Sequence, residues 1–265
     1  MKRVIKSSEP TELKTYRRAC PASEWETMRN DAFHGGKAAY DAILAKLEAD
    51  QGGICAYCEI RISRAINTAR VEHFVPKALK HPRVNWGLHW YNMLGVCNGG
   101  SQFRKDPGQY LEPQSKNLSC DDFKEKAIGI ANCLGTLLNP LWIPAMTPLM
   151  CLEHATGKWR VHEVNANTAC LPRHSHQSAG FLVEYTIEKV LNLNCDRLAR
   201  NRLTALRTLE REIKQARDSR LAPNIFMPNL AKKYLGPKYR EFFSVYRFRL
   251  GEYAEAYLKS IGFQG

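Results

Sequence analysis

Long apolar runs are missing from this chain. No stretch approaches the roughly 18 consecutive apolar residues of a bilayer-spanning helix, so none is expected. The basic start, Met1-Lys2-Arg3, leads into Ser7, Ser8, Glu9 and Pro10 rather than an apolar segment. A secretory signal is therefore not expected, and the reading places the chain in the cytoplasm with no membrane partner. Internal repeats and low-complexity tracts are absent too. Acidic residues are scarce: 26 Asp and Glu stand against 39 Lys and Arg, a formal net charge of +13. Such a surface attracts polyanions and suits nucleic acid, an anionic membrane face or an acidic protein, without choosing among them.

Cysteine is present, but not in the form that disulfides need. The chain has 9 cysteines in 265 residues. An odd count in a chain of this length argues against a secreted disulfide scaffold. In a reducing compartment the useful question is which of them hold metal. The composition, 44% hydrophobic and 25% charged, is that of a globular chain with a packed core. The length suits one large domain or two small ones.

Residues 1–20 carry few helical signals and read as an extended arm. Pro21 precedes Ser23, and Glu26 follows at capping-box spacing, so a helix is expected to start there. Ala38, Ala39, Ile43, Leu44 and Leu47 recur at helical spacing, and Gly52-Gly53 ends that helix. A short strand is expected over Arg70–Phe74, with Pro76 ending it. A short helix is expected near Trp90–Leu94, and Asn98-Gly99-Gly100 is a turn. Residues 101–119, with Pro107 and Pro113, read as a long loop. Gly157 to Val161 looks like a turn into a strand. The longest helical stretch is 181–217, with Asn194 as the cap of a break within it. There Leu198, Leu203, Leu206, Leu209 and Ile213 lie mostly on one face, and Arg200, Arg202, Arg207, Arg211 and Lys214 on others. That basic helix is expected to pack on the core or to contact nucleic acid or a partner. Pro223 and Pro228 interrupt next, and 229–262 is helical again.

The chemistry concentrates between residues 55 and 124. Cys55-x2-Cys58 is a knuckle that brings two thiolates to one zinc ion, and a structural zinc needs four ligands. Cys97 and Cys120 are the candidates for the other two. A thioredoxin-like redox pair is disfavoured, because such pairs open a helix after a strand, whereas Gly52-Gly53 and a polar turn flank this one. Cys20, Cys133, Cys151, Cys170 and Cys195 read as structural thiols.

Phosphodiester hydrolysis needs a base to activate water and a cation on the phosphoryl group. His73 is the candidate base, since an imidazole titrates near neutrality. Glu72 is a candidate oxygen ligand for magnesium or another divalent ion, and Asp121 the candidate for a second. Adjacent strand residues point to opposite faces, so Glu72 and His73 can share a site only near a bend, which Pro76 and a metal staple could supply. Asn92 could brace the loop behind His73 or accept a hydrogen bond from its ring, with Trp90 as the anchor of that segment. Lys77 and Lys124 are candidate phosphate contacts, or else solvated charges. His174 and His176 form a weaker alternative ligand pair.

Residues 54–124 resemble an HNH endonuclease domain of the zinc-containing ββα-metal type. The matching segments are Cys55-Ala56-Tyr57-Cys58-Glu59, Val71-Glu72-His73-Phe74-Val75-Pro76-Lys77, Trp90-Tyr91-Asn92-Met93-Leu94 and Cys97. More narrowly, the chain is similar to the retron-associated, PtuB-like HNH proteins of Septu-type defence. Asn98-Gly99-Gly100, Cys120-Asp121-Asp122-Phe123-Lys124 and Asn139-Pro140-Leu141 carry that similarity. The resemblance implies an α+β fold with a zinc-stapled ββα-metal core in a mostly helical chain. The expected divisions are an arm and helical lead-in over 1–50, a nuclease domain over 51–145 and a helical region over 146–265. It further implies that Glu72 and Asp121 bind a catalytic divalent metal, that His73 is the base and that Asn92 orients the loop. It implies a bacterial antiviral role, a PtuA-like ATPase partner of the ABC/SMC type and, in some systems, a retron reverse transcriptase with its RNA–DNA product. Many HNH domains keep the last two cysteines in one knuckle with Asn or His just after. Here the pair is split, so Asn98 competes with Asp121 as the second ligand.

The leading expectation is a metal-dependent nuclease acting on DNA. The alternatives are the same fold acting on RNA such as tRNA, or an inactive zinc-stapled module that binds nucleic acid.

Overall fold

The computed structural model describes residues 1–101, 114–127, 133–146, 148–171, 177–236 and 238–265. Pro107, Pro113, His174 and His176 lie outside the described residues.

Three helices open the chain. α1 spans Thr11–Ala19, α2 Trp25–Asn30 and α3 Gly36–Asp50. The expected extended arm therefore gives way to helix after Pro10. Leu13 and Tyr16 sit one helical step apart and are both buried, and this shared apolar stripe makes α1 helical. The expected capping box at Ser23 does not form. Glu24 holds the N-cap position of α2 without a side-chain bond, while the Ser23 hydroxyl meets the Tyr16 hydroxyl at 2.9 Å. The three helices enclose a cluster that includes Leu13, Tyr16, Trp25, Met28, Ile43, Leu88, Trp90 and Met93.

β1, Arg70–His73, pairs antiparallel with β2, Met93–Val96, so that Glu72 faces Leu94 and His73 faces Met93. The helix expected near Trp90–Leu94 is a single 3-10 turn, Trp90–Asn92, and the chain then extends into β2. Ladder bonds to β1 outweigh the local helical tendency. Two short helices follow: α4 spans Gln114–Asn117 and α5 spans Asp121–Ala127. The β1-β2 hairpin and α5 together form a ββα-metal-like core.

Beyond it come α6 (Cys133–Thr136), β3 (Met150–Leu152), β4 (Trp159–Val161), α7 (Glu163–Thr168) and α8 (Ala179–Tyr185). β3 and β4 form a second hairpin. α8 continues through one π-helical turn, Thr186–Val190, before the chain breaks. Asn194 does not cap the next helix. Its amide instead exchanges two hydrogen bonds with the Trp159 backbone, at 2.8 and 2.9 Å, and ties β4 to the break.

α9 runs over Asp196–Asp218, α10 over Pro223–Leu235, α11 over Phe243–Leu250 and α12 over Glu252–Ser260. Pro223 starts α10, where its missing N–H costs nothing, and Pro228 is carried inside that helix rather than ending it. A continuous hydrophobic cluster joins the cysteine knuckle and Leu94 to Leu198, Leu209, Phe243 and Leu258. Among the described residues, no helix is long and apolar enough to cross a membrane.

Candidate metal centre and acid–base site

The Cys55–Cys58 knuckle is built by backbone. Cys55 N–H donates to Ile60 O at 2.8 Å, and Glu59 N–H returns to Cys55 O at 3.1 Å. Glu59 adopts φ +64°, which closes the turn. Ala56 N–H reaches Gly95 O on β2, so the knuckle is fixed to the strand that leads into Cys97. Cys120 comes from the far side. Its N–H donates to Leu191 O, and its own carbonyl accepts from Phe123 and Lys124, opening α5.

Together these elements place the thiols of Cys55, Cys58, Cys97 and Cys120 within 4.8 Å of one another, all buried. The Sγ–Sγ distances include 3.5 Å for Cys58–Cys97, 3.9 Å for Cys97–Cys120 and 4.0 Å for Cys55–Cys120. Zinc–sulfur bonds of about 2.3 Å in a tetrahedron require edges of roughly 3.8 Å. The four residues fit a structural metal such as zinc.

The burial that shapes the cluster also resists its ionisation. Burial and the neighbouring thiols push Cys58 and Cys120 well up. Cys55 goes the other way, because hydrogen bonds from the other three thiols outweigh its burial. A bound metal would need thiolates and would displace the remaining protons.

Two arginines of α9 are buried, and one of them backs this cluster. Arg197 donates to the Ser119 hydroxyl at 2.7 Å, and that hydroxyl contacts Cys120 Sγ at 3.7 Å. Arg202 donates to Gly157 O and Leu193 O. Its expected place on a polar face of α9 is overturned, for its exposure is 0%. The signal was available in the spacing. Leu198, Arg202, Leu206, Leu209 and Ile213 follow one helical stripe, so residue 202 is a core position occupied by a cation.

Glu72 and His73 have different neighbours, as strand alternation requires. Glu72 is buried against the Lys124 ammonium, which also donates to His73 O at 2.8 Å and Phe74 O at 3.0 Å. Asp121 hydrogen-bonds Glu72. It lies one helical turn before Lys124, so both side chains leave the same face of α5. The Tyr57 hydroxyl approaches Glu72 Oε1 at 3.5 Å. Burial first, and then the bond to Glu72, push the Asp121 carboxyl up to about 8. Two neighbouring carboxyls cannot both ionise freely.

Lys124, a candidate phosphate contact, is buried. Its ammonium is inside the fold, 6% exposed, and its length is what lets it cross from α5 to β1. Lys77 is exposed and pairs with Glu26 on α2. Asn98, the competing ligand, turns its amide to Asn67 O at 3.2 Å. Of the two, Asp121 is the residue at Glu72.

The His73 ring is held from two sides. Nε2 lies 3.0 Å from Gly87 O, and Trp25 meets the ring edge-on at 4.6 Å. A carbonyl only accepts, so Nε2 carries the proton and Nδ1 keeps its lone pair. Burial lowers the ring to about 4 and keeps it neutral near pH 7. Asn92 makes no hydrogen bond to the His73 ring. Its amide accepts from Val75 N–H at 2.7 Å and donates to Val75 O and Trp86 O at 2.8 and 2.9 Å. It thereby clips both ends of the loop that supplies Gly87. Trp90 anchors this segment, buried, with its indole N–H on Ser7 O.

Among the described residues a second grouping, Cys20, Asp31 and His34, lies within metal-ligating distances. Its Asp31 is already saturated. Oδ1 accepts from the N–H groups of Phe33 and His34, and Oδ2 meets the Tyr16 hydroxyl and the His34 ring. This carboxylate caps the turn before α3.

No family model matches the chain. It is 34% identical over 205 residues to "Retron Ec83 putative HNH endonuclease" of Escherichia coli, covering 75% of this chain and 76% of that protein. With the cysteine cluster and the ββα-metal-like core beside it, this extended identity shows that the chain belongs to the retron-associated HNH endonuclease family.

Proposed function

We propose that the chain is a metal-dependent endonuclease that hydrolyses DNA phosphodiester bonds, with Glu72, His73 and Asp121 as its catalytic residues. The observation that carries this reading is a buried Glu72, held by Lys124 and Tyr57, directly before a histidine whose Nε2 is committed to Gly87. Glu72 and Asp121 would hold a divalent cation, which supplies positive charge to the phosphoryl oxygens. His73 takes the proton of the attacking water at Nδ1. Gly87 O fixes the tautomer, and Asn92 fixes Gly87 by clipping Val75 to Trp86. Lys124 neutralises Glu72 and ties it to the backbone at His73 and Phe74. The four cysteines, once they hold zinc, would fix α5 against β1, since Cys120 is the residue before Asp121.

The proposal extends to context. The relative's name includes a retron, and the motifs that resemble PtuB-like proteins support an effector role in anti-phage defence in the bacterial cytoplasm. There the partner would be a PtuA-like ATPase of the ABC/SMC type, and in a retron system also the reverse transcriptase with its RNA–DNA product. The net charge of +13 suits the nucleic-acid part of this assembly.

The test is cleavage of supercoiled and linear DNA by the purified chain, with and without magnesium, alone and with the ATPase. Magnesium-dependent nicking that is lost in Glu72→Gln supports the site. Nicking by Glu72→Gln at the wild-type rate refutes it. Full activity without the ATPase shows that cleavage does not depend on this partner.

A further inference from the structure

A cleft of about 630 Å³ opens beside the acid–base site. Phe74 and Val75, the two residues after His73, form part of its wall. Trp86 forms another part and directly precedes Gly87, the residue that holds the His73 ring. The cleft and the candidate base therefore share one loop, pinned by Asn92.

The walls are chemically specific. Among the described residues that line the cleft there is no carboxylate. Two edge-to-face ring pairs stand on it: Phe74 with Trp142 at 6.0 Å, and Trp86 with His89 at 5.7 Å. Tyr91, 56% exposed, extends the aromatic surface toward solvent. Three buried nitrogens of the lining residues have no hydrogen-bond partner among the described residues: Arg3 Nε, Trp86 Nε1 and His89 Nδ1. Lys6 is not available for a ligand. Its ammonium is spent on Trp90 O and Met93 O and lies 3.5 Å from the centre of the Trp90 ring. Arg3 remains as the cation without an acidic partner among the described residues.

We propose that this cleft receives an unpaired nucleotide of the strand being cut, its base stacked on the aromatic wall and its phosphate facing Arg3. Flat rings that accept any base face, a cation and no competing carboxylate are the elements of a single-strand platform. The volume lies within the range of about 300–1,000 Å³ that holds one small ligand, which admits a nucleotide but not a duplex. The Arg3 guanidinium on the lining carries N–H donors, and phosphates are rich in acceptors. This inference rests on the nuclease reading and names its substrate: DNA with an unpaired segment next to the scissile bond.

The experiment measures binding of the full chain, without added magnesium, to a blunt DNA duplex and to the same duplex with a single-stranded overhang. Cleavage of both is followed in parallel with magnesium. The wild type is expected to bind the overhang substrate at least about 10-fold more tightly, since each stacked base contributes a factor of this order or more. Tyr91→Ala is expected to lose most of that preference, and Tyr91→Phe, which retains the ring, to keep it. Arg3→Gln is expected to lower the slope of log K against log salt on the overhang substrate by about 0.7. Equal binding of the two substrates by the wild type overturns the inference, as does an undiminished preference in Tyr91→Ala. Cleavage without preference defeats this inference alone. Preference without cleavage upholds the cleft and defeats the nuclease reading.

Discussion

Replacing Asp121 with asparagine is expected to stabilise the metal-free protein while removing its response to magnesium. The Asp121 carboxyl is pushed by burial and by Glu72 from its ordinary 3.8 to about 8. Each tenfold in proton affinity is about 1.4 kcal/mol, so retaining the proton up to pH 7 amounts to at most about 4 kcal/mol. Asp121 is only partly buried and Lys124 offsets some of the repulsion, so the expected gain in Asp121→Asn is about 1–2 kcal/mol. The sign follows from proton linkage. Between 3.8 and 8 the folded protein holds a proton that the unfolded chain has released, so stability falls as pH rises through this window. The difference between Asp121→Asn and wild type should therefore grow from pH 5 to pH 8. Urea melts at both pH values, without added divalent cation, measure it. Magnesium is then expected to raise the wild-type midpoint and leave that of the variant unchanged, because a ligand stabilises only the state that binds it. If Asp121→Asn is less stable than wild type at pH 8, or gains as much from magnesium, the carboxyl pair is not a cation site.

Cys58→Ser is expected to lose bound metal and to unfold at markedly lower temperature, checked by elemental analysis and thermal melts. Zinc added to the metal-free protein in weak buffer should release protons, since burial holds the Cys58 and Cys120 thiols protonated. Arg197→Met is expected to weaken zinc retention against a chelator by about 10- to 100-fold, because it removes the donor to Ser119 behind Cys120. Gly99→Ala is expected to cost about 2 kcal/mol or more in a denaturation curve. Gly99 has φ +56°, and a Cβ there would stand 2.5 Å from Ser119 O, at the junction that brings Cys120 to the other cysteines.

The knuckle, the Glu-His strand and the helix over Gly36–Asp50 were legible because each is a local signal. Two thiols at fixed spacing, a short β-run and an apolar period of 3.6 need no knowledge of the rest of the chain. Bringing Cys97 and Cys120 to that knuckle could be expected only from the need for four ligands. The contacts that achieve it, Ser119 N–H to Gly99 O and Cys120 N–H to Leu191 O, join residues remote in sequence. The fate of the charged residues was the least legible. Lys124 and Arg202 look like solvated cations, yet one crosses a core to Glu72 and the other fills a stripe position on α9. The helix at Thr11–Ala19 was missed because it has two buried residues and draws its stability from packing on α3 rather than from its own sequence.

The most direct measurement pairs cleavage with metal content in His73→Ala. The zinc thiols do not involve His73, so the variant is expected to retain zinc at the wild-type level. Its magnesium-dependent nicking of supercoiled DNA is expected to fall by about 10²- to 10⁴-fold, the usual contribution of a general base. Nicking by the zinc-loaded variant at the wild-type rate would contradict the assignment of His73 as the base.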